Sequence, residues 1–191
     1  MISRILAVAL SILAGLAMAL PASAADTLTV DQVHSSVMFR IEHMGAAPFF
    51  GRFNDKSGTI MLDSADPSKS SIEFTIDPAS VDTGNEKRDA HVMSQDFFSA
   101  KEFPVMSFKS TSVSKSGEGS WKVKGMLELR GVKKEITINV NHKLGKGMKG
   151  EAIHGFYTEF VINRMDFNIG ETFDNNALSQ EVMMYVSLEA K

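Results

Sequence analysis

The chain has 191 residues and no cysteine, and its 20 basic and 23 acidic side chains give a net charge of −3. This balance, without a basic patch, argues against nucleic-acid binding, and the lack of cysteine excludes disulfides as a source of stability. Thirteen Phe and twelve Met, against two Tyr and one Trp, indicate an apolar and adaptable interior.

The first segment, residues 1–24, is predicted to be an export signal. Arg4 supplies its positive charge, Ile5–Leu20 its apolar region and Ala22–Ala24 an A-x-A cleavage site. The apolar run is short for a membrane span. We therefore expect a soluble exported protein cut after Ala24, with one domain over residues 25–191. In a Gram-negative bacterium its compartment would be the periplasm.

Most of the remaining chain alternates apolar and polar residues with a period of two, the pattern of half-buried β-strands. The alternation is clearest where Trp121, Val123 and Leu127 are separated by charged or polar residues. Residues 45–51 are predicted to form a loop with an apolar tip, and residues 164–179 an irregular segment. The pattern predicts strands over residues 27–33, 36–44, 58–63, 71–77, 105–114, 121–130, 135–144, 149–163 and 180–190.

One stretch between the fourth and fifth predicted strands breaks this alternation. Thr83-Gly84-Asn85-Glu86 has the S/T-x-x-E form of a capping box, in which the Thr and Glu side chains satisfy free backbone N–H groups at a helix start. A short helix is therefore expected near residues 86–98, with Met93 and Phe97 on its apolar face. Pro104 forces an extended backbone before the strands resume.

The order of these elements predicts an all-β protein. Eight or nine strands joined mostly by short turns close naturally into an up-and-down antiparallel barrel, which removes exposed strand edges. The helical insertion would then cover one mouth of the barrel. An eight-stranded barrel can be filled by its own side chains or can hold one small ligand. A β-sandwich is the alternative fold.

A series of motifs runs along the whole predicted domain, at Asp31–Ser35, Phe39–Gly45, Gly51–Phe53, Ser80–His91, Asp96–Phe98, Phe103–Phe108, Gly125–Val132, Asn163–Phe167 and Gln180–Val182. In order and spacing these motifs resemble those of the YceI-like family. The family is an extended, lipocalin-like, eight-stranded antiparallel barrel, its members are generally exported, and several hold an isoprenoid or other lipid-like chain. The resemblance therefore implies a polyisoprenoid-binding or carrier protein.

A prenyl chain offers only hydrocarbon groups, so its site needs an apolar tunnel and no directional partners. The wall candidates are apolar residues aligned on the predicted inner face and two Phe of the helical insertion; Phe49 and Phe50 are further candidates for the mouth. The alternative is that these side chains fill the barrel or pack the helix onto its rim. The candidate ligand-binding residues are Val37, Phe39, Ile41, Ile60, Phe74, Ile76, Phe97, Phe98, Phe108, Leu127, Ile138, Phe160 and Val186.

A polar head group would need hydrogen-bond donors at one mouth. The candidates are Arg88, His91, Asn163 and Arg164, since arginine binds phosphate through paired donors. The alternative is structural. Arg88 with Asp89, and Arg164 with Asp166, would form ion pairs that tie the helix and the late loop to the rim.

Neither a metal, a cofactor nor a catalytic group is predicted. The five His form no HExxH motif, no serine lies in a G-x-S-x-G turn, and His142 and His154 are expected to be core histidines with satisfied partners. An enzyme using His91 with Asp89 or Asp96, and an interaction protein with a filled barrel, compete with the binding protein. The bound lipid, transient membrane contact and homodimerisation stay open.

Overall fold

The alternating segments fold as β-strands in a computed structural model that describes residues 25–191. The predicted export signal and its cleavage site lie outside the described residues. One α-helix, α1, covers Glu86–Met93, and short 3-10 helices cover Pro67–Lys69, Pro78–Ser80 and Arg164–Phe167. The strands are β1 Asp26–His43, β2 Ala47–Phe53, β3 Lys56–Leu62, β4 Ser71–Ile76, β5 Val81–Asp82, β6 Met106–Gly117, β7 Ser120–Leu129, β8 Val132–Lys146, β9 Ala152–Asn163 and β10 Leu178–Ala190.

Eight of the strands close into an antiparallel barrel. Their order is β1, β3, β4, β6, β7, β8, β9 and β10, and β10 pairs back onto β1, as in Val37 opposite Val186. Closure leaves no free edge on the barrel itself, which explains how a chain without disulfides keeps so many strands paired. The barrel with one helix confirms the predicted fold class, and the chain does not adopt the alternative sandwich.

The alternation in the sequence decides which side chains face inward. On β7, Trp121, Val123 and Leu127 are buried, while Lys122 and Lys124 between them are exposed. Because successive side chains of a strand point to opposite faces, a period of two puts Trp121, Val123, Leu127 and Leu129 on the inside and leaves Met126 on the outer face.

The first strand is long and changes partner along its length. Its first residues pair with β3, as in Asp26 opposite Leu62, and its last residues pair with β2, as in His43 opposite Ala47. The register against β10 shifts between Asp31 and Ser36. The last part of β1 therefore stays paired with β10 on one side and takes β2 in place of β3 on the other.

The predicted loop at residues 45–51 is wrong, because β2 begins at Ala47. Pro48 and Gly51 hide the strand pattern in the sequence, since proline and glycine usually interrupt a strand. β5 pairs only with Arg52 and Phe53, so Pro48 lies where β2 has a free edge and needs no ladder donor. At Gly51, a Cβ atom would overlap the Phe39 ring, so glycine allows that ring to lie close to the β2 backbone.

The helical insertion is present, but its cap and its end differ from the prediction. The N-cap is Asn85, whose side chain accepts a hydrogen bond from the Arg88 backbone N–H. Thr83, the predicted cap, instead uses its backbone N–H and hydroxyl to bond the Asp89 carboxylate. The helix ends at Met93 and not at Phe98, and residues 95–98 form turns.

One end of the barrel is filled by its own side chains. We call this cluster the packed base; its members are all at most 7% exposed. They come from the first part of β1 and β7 and the last part of β3, β6 and β10. The packed base consists of Leu28, Val30, Leu62, Val113, Trp121, Val123 and Ala190.

No helix in residues 25–191 is long and apolar enough to cross a bilayer.

Candidate functional site

The barrel is hollow between the packed base and α1. The cavity has a volume of about 410 Å³, and its walls are almost entirely apolar. None of the packed-base residues lines it. The predicted filled barrel therefore describes only one end of the molecule. All thirteen apolar residues singled out from the sequence line the cavity: Val37, Phe39, Ile41, Ile60, Phe74, Ile76, Phe97, Phe98, Phe108, Leu127, Ile138, Phe160 and Val186.

The cavity opens at the end where α1 lies. Met44, at the turn after β1, lines the cavity and is 63% exposed, and the exposed side chains of Arg88 and His91 also line it. Residues that touch both the cavity and solvent mark its mouth. Phe49 lines the mouth as well, whereas Phe50 points outward on β2 and is 48% exposed.

Aromatic rings form most of the rim. Phe97 stacks on Phe173 with ring centroids 5.2 Å apart, and Phe98 meets Phe53 edge-on at 5.5 Å. Phe53 in turn contacts Phe39 at 5.7 Å. Such pairs add specific contacts to the burial of apolar area, so the short segment after α1 is fixed to the barrel by its rings.

Arg88 is held at the mouth by Thr83 and Phe49. Its Nε donates to the Thr83 hydroxyl at 2.8 Å, and Nη2 donates to the Thr83 carbonyl at 2.6 Å. The guanidinium carbon lies 4.3 Å from the centre of the Phe49 ring, in a cation–π contact. The predicted ion pair with Asp89 is absent from the described residues, because Thr83 occupies that carboxylate. Arg88 nevertheless remains at the edge of the cavity.

His91 lies beside Arg88 on α1. Its Nε2 is 3.1 Å from the Asp96 carboxylate, and its ring meets Phe97 and Phe173 edge-on at 5.1 and 5.9 Å. Both members of the pair are about half exposed. His91 and Asp96 therefore join the end of α1 to the turns that follow, directly over the mouth.

Arg164 is buried at the rim and donates hydrogen bonds to several backbone carbonyls. It is 2% exposed, and burial lowers the pKa of its guanidinium from the ordinary value. Nε donates to the Ser179 carbonyl at 3.0 Å, and Nη2 donates to those of Phe173 and Leu178 at 2.6 and 3.0 Å. Nη1 donates to the carbonyls of Ile169, at 2.9 Å, and Gly170. These bonds fix the irregular residues 169–177 to the start of β10.

The other residues of the predicted head-group set are also engaged. Asn163 does not line the cavity, and its side chain accepts a hydrogen bond from the Met165 N–H at 3.0 Å. The predicted Arg164–Asp166 ion pair does not form, because Asp166 faces Lys134 at 3.8 Å. Of the four head-group candidates predicted from the sequence, only Arg88 and His91 therefore lie at an exposed part of the mouth.

Several cavity residues were missed from the sequence. Ile72, Val140 and Phe156 share the inner faces of predicted strands, so the alternation could have identified them. Ile169 and Phe173 lie in the irregular segment, which carries no periodic signal. Thr158 also lines the cavity, although its neighbours on the inner face of β9 are apolar.

His142 and His154 do not line the cavity, and His142 lies beside Trp121 of the packed base. His142 Nε2 and His154 Nδ1 are 3.0 Å apart, and the rings stack with centroids 5.2 Å apart. His142 also stacks on Phe156 at 4.9 Å and contacts Trp121 at 5.5 Å. Each ring thus has a partner, as predicted, but both histidines are only partly buried and lie outside the core. Within residues 25–191, no three His, Asp or Glu side chains cluster as metal ligands.

Comparison with known proteins identifies close sequence relatives. A family model described as a YceI-like domain matches residues 28–190. Protein YceI of Salmonella arizonae is 39% identical over 158 residues, which span 82% of this chain and 81% of that protein. Protein YceI of Salmonella dublin matches to the same extent, with 39% identity over 158 residues.

Solved structures share the barrel. BcnA of Burkholderia cenocepacia superposes with a TM-score of 0.78 at 28% identity, covering 85% of this chain and 99% of that one. The YCEI protein of Campylobacter jejuni gives a TM-score of 0.71 at 31% identity, covering 78% and 88% of the two chains. A domain from Saccharophagus degradans gives 0.67 at 19% identity, covering 86% and 97%, which shows a common fold.

Proposed function

The chain belongs to the YceI-like family, and from this premise we propose that it is an exported binding protein that carries a polyisoprenoid or a similar long-chain amphiphile in its barrel. The observation that carries the proposal is the cavity of about 410 Å³, enclosed by apolar side chains and open beside α1. Volumes of this size are usual for small-molecule sites. The related domain of Saccharophagus degradans is named as polyisoprenoid binding, which supports the same ligand class.

A hydrocarbon chain suits these walls because burial alone can hold it. Each buried CH₂ group contributes about 0.8 kcal/mol, so a five-carbon prenyl unit contributes up to roughly 4 kcal/mol before ordering costs. The packed base closes the far end, so the cavity is blind. A long chain would therefore bend inside the barrel or protrude from the mouth, and burial by itself would not select its length.

A charged head group, where the ligand has one, would stay at the mouth. Arg88 and His91 line the cavity there and remain accessible to solvent. Moving a charge to the apolar interior would cost far more than leaving it beside a guanidinium in water. We propose that these two residues meet an anionic head group, while Asn163 and Arg164 hold the rim in place.

We also propose that residues 1–24 direct export of the protein. Residues 1–24 have the composition of an export signal, and the barrel domain starts directly after them. In its native host the protein would then carry the mass of a chain beginning at Ala25. Cell fractionation that finds the full-length chain in the cytoplasm contradicts this part.

Native mass spectrometry of protein purified from its own host tests the binding proposal. We expect a non-covalent lipid adduct that organic extraction removes. Phe74→Arg places a charge on the cavity wall and should reduce the adduct at least tenfold, because an unpaired buried charge is strongly unfavourable. Phe74→Gln, which adds no charge, should act in the same direction with a smaller effect on folding.

Thr75→Arg is the matched control, since Thr75 is the next residue of β4 and faces solvent. It should retain the lipid. Folded Phe74→Arg protein that keeps its native ligand would contradict the assignment of the wall, and wild-type protein without any extractable lipid would contradict the binding function.

The pairing of His91 with Asp96 is the basis of the competing enzyme hypothesis, and we propose that it holds the mouth without catalysis. Both side chains pack or bond within the rim, and the pair is half exposed to water. His91→Ala should therefore change lipid release. A turnover of the bound lipid that disappears in this variant would favour the enzyme.

A further inference from the structure

The cavity wall contains one polar atom that the protein leaves unsatisfied. Thr158 is 6% exposed and lines the cavity, and its hydroxyl has no hydrogen-bond partner. Among the buried side-chain nitrogen and oxygen atoms of residues 25–191, it is the single such case. Buried hydroxyl groups are nearly always hydrogen bonded, so an unpaired one needs an explanation.

Thr158 lies deep in the cavity. It lies opposite Val186 on β10, which in turn lies opposite Val37 on β1. Thr158 lies five positions before Asn163, the last residue of β9 at the mouth. At about 3.3 Å per residue, this places the hydroxyl about 17 Å along the strand from the rim.

The surroundings of Thr158 favour a side chain without a hydroxyl. The neighbouring inner positions on β9 are Phe156 and Phe160, and both line the cavity. Valine has the same shape as threonine and suits a β-strand equally well. Stability alone would therefore favour valine, because a buried hydroxyl without a partner costs free energy.

Water is a poor partner at this place. A buried water molecule typically makes about three hydrogen bonds to the protein, whereas the apolar side chains around Thr158 offer none beyond the hydroxyl itself. A neutral oxygen atom of a ligand needs only one partner there. A charged group would not be stable at this depth without an opposite charge.

We propose that Thr158 binds a hydroxyl or carbonyl oxygen at the buried end of the ligand. This inference rests on the proposed binding function and deepens it, since it names the class of chain. The site takes an amphiphile with a neutral oxygen function, inserted oxygen first, in preference to a pure hydrocarbon. For such a ligand, Arg88 and His91 lie beside the part of the chain that leaves the mouth, and their proposed contact with an anionic head group applies only to ligands that carry one.

Displacement of a fluorescent lipid probe from the lipid-free protein tests this preference. The two competitors are the prenyl alcohol farnesol and the matching hydrocarbon farnesene. A net hydrogen bond corresponds to about a five- to tenfold change in affinity, so Thr158→Val should weaken farnesol by that factor and leave farnesene unchanged. Thr158→Ser keeps the hydroxyl and should retain the preference for farnesol.

Thr137→Val is the matched control, because Thr137 is an exposed threonine on the outer face of β8. It should change neither affinity. A second readout is independent of any ligand: lipid-free Thr158→Val should unfold at a higher temperature than wild type, since it loses the unpaired hydroxyl.

The outcomes separate the two proposals. Wild-type protein that binds neither competitor and no native lipid overturns the binding function itself. If wild type and Thr158→Val each bind farnesol and farnesene equally well, only the role of Thr158 is overturned. That result would indicate that water satisfies the hydroxyl. An equal loss for both competitors in Thr158→Val also overturns it, because that result would reflect packing.

Discussion

Arg164 shows how much of the mouth depends on one buried side chain. Its guanidinium donates to carbonyl oxygens of Ile169 and Phe173, in a segment without regular secondary structure, and of Ser179 at the start of β10. Buried backbone carbonyls need partners, and a loop cannot supply them from its own ladder. One arginine with five donors replaces that ladder.

Removing this guanidinium should be strongly destabilising. We expect Arg164→Met to lower the free energy of unfolding by about 3–5 kcal/mol, because several buried carbonyls lose a charged donor at once. Urea denaturation measures the change. Arg52→Met is the control, since Arg52 forms an exposed pair with Asp82 and should cost less than about 1 kcal/mol. Equal effects of the two substitutions would contradict a special role for Arg164.

The His142–His154 pair makes stability depend on pH. Burial lowers the pKa of His142, and the neighbouring His154 adds to this. Below the ordinary histidine pKa of about 6.5, His142 is therefore protonated in the unfolded chain but still neutral in the folded protein. Stability is then fully present above about pH 6.5 and falls as the pH drops toward the folded pKa.

We expect His142→Phe to lose less stability than wild type between neutral and mildly acidic pH, because Phe keeps the stacking and cannot titrate. Unfolding free energies across this range give the slope. An NMR titration provides the direct check: a His142 midpoint at or above about 6.5 would contradict the lowered pKa.

At the scale of elements, α1 is a weakly anchored cover. None of its residues is buried, and only Val92 and Met93 pack against the core. Its position depends on polar contacts at its ends: the Asn85 cap, the bonds of Thr83 to Asp89 and Arg88, and the pairing of His91 with Asp96. Elements with little buried area open locally at small cost, so α1 is where a ligand would pass.

Loss of the helix cap should loosen this cover. Asn85→Ala typically costs about 1 kcal/mol of helix stability, which corresponds to roughly fivefold faster hydrogen exchange of the α1 amides. Amides of β7, on the far wall, should exchange at the wild-type rate. Lys87→Ala, an exposed helix residue without a capping bond, should leave the exchange unchanged. Uniform acceleration over the whole barrel would indicate a global and not a local effect.

The sequence predicted those elements that have a strong periodic signal. Alternation identified the barrel strands and their inner faces, since a period of two leaves only one way to bury the apolar residues. It failed at β2, where Pro48 and Gly51 are explained by a free edge and by the Phe39 ring, both of which are tertiary facts.

The polar residues of the site were predicted less well. Neighbours in sequence suggested ion pairs for Arg88 and Arg164, but the fold supplies Thr83 and backbone carbonyls as partners. Carbonyl partners leave no trace in residue types, because every residue carries one. The same limit applies to Thr158, whose missing partner is visible only once its neighbours are known.

The whole molecule combines a solid end with a hollow end in one barrel. The packed base holds Trp121 and other apolar side chains together, and the walls above it enclose the cavity. Interior packing is normally close to that of organic crystals, so a cavity of this size forgoes many contacts. The base therefore provides much of the stability, and the hollow end provides the proposed binding site.

One substitution made at two depths tests this division. Val123 in the packed base is fully buried, whereas Val186 faces the cavity. Val123→Trp should lower the free energy of unfolding by at least about 1–3 kcal/mol, because there is no space for the larger ring. Val186→Trp should change the stability of the lipid-free protein by less than about 1 kcal/mol, since the ring can enter the cavity.

The effect on binding should run the other way. In Val186→Trp the ring occupies the volume that we assign to the ligand, so lipid retention in native mass spectrometry should fall several-fold while the protein stays folded. Any folded Val123→Trp protein should still retain lipid, because the base does not line the cavity. If Val186→Trp destabilises the lipid-free protein as much as Val123→Trp does, the cavity is not open in solution, and the division of the barrel into a solid and a hollow end is wrong.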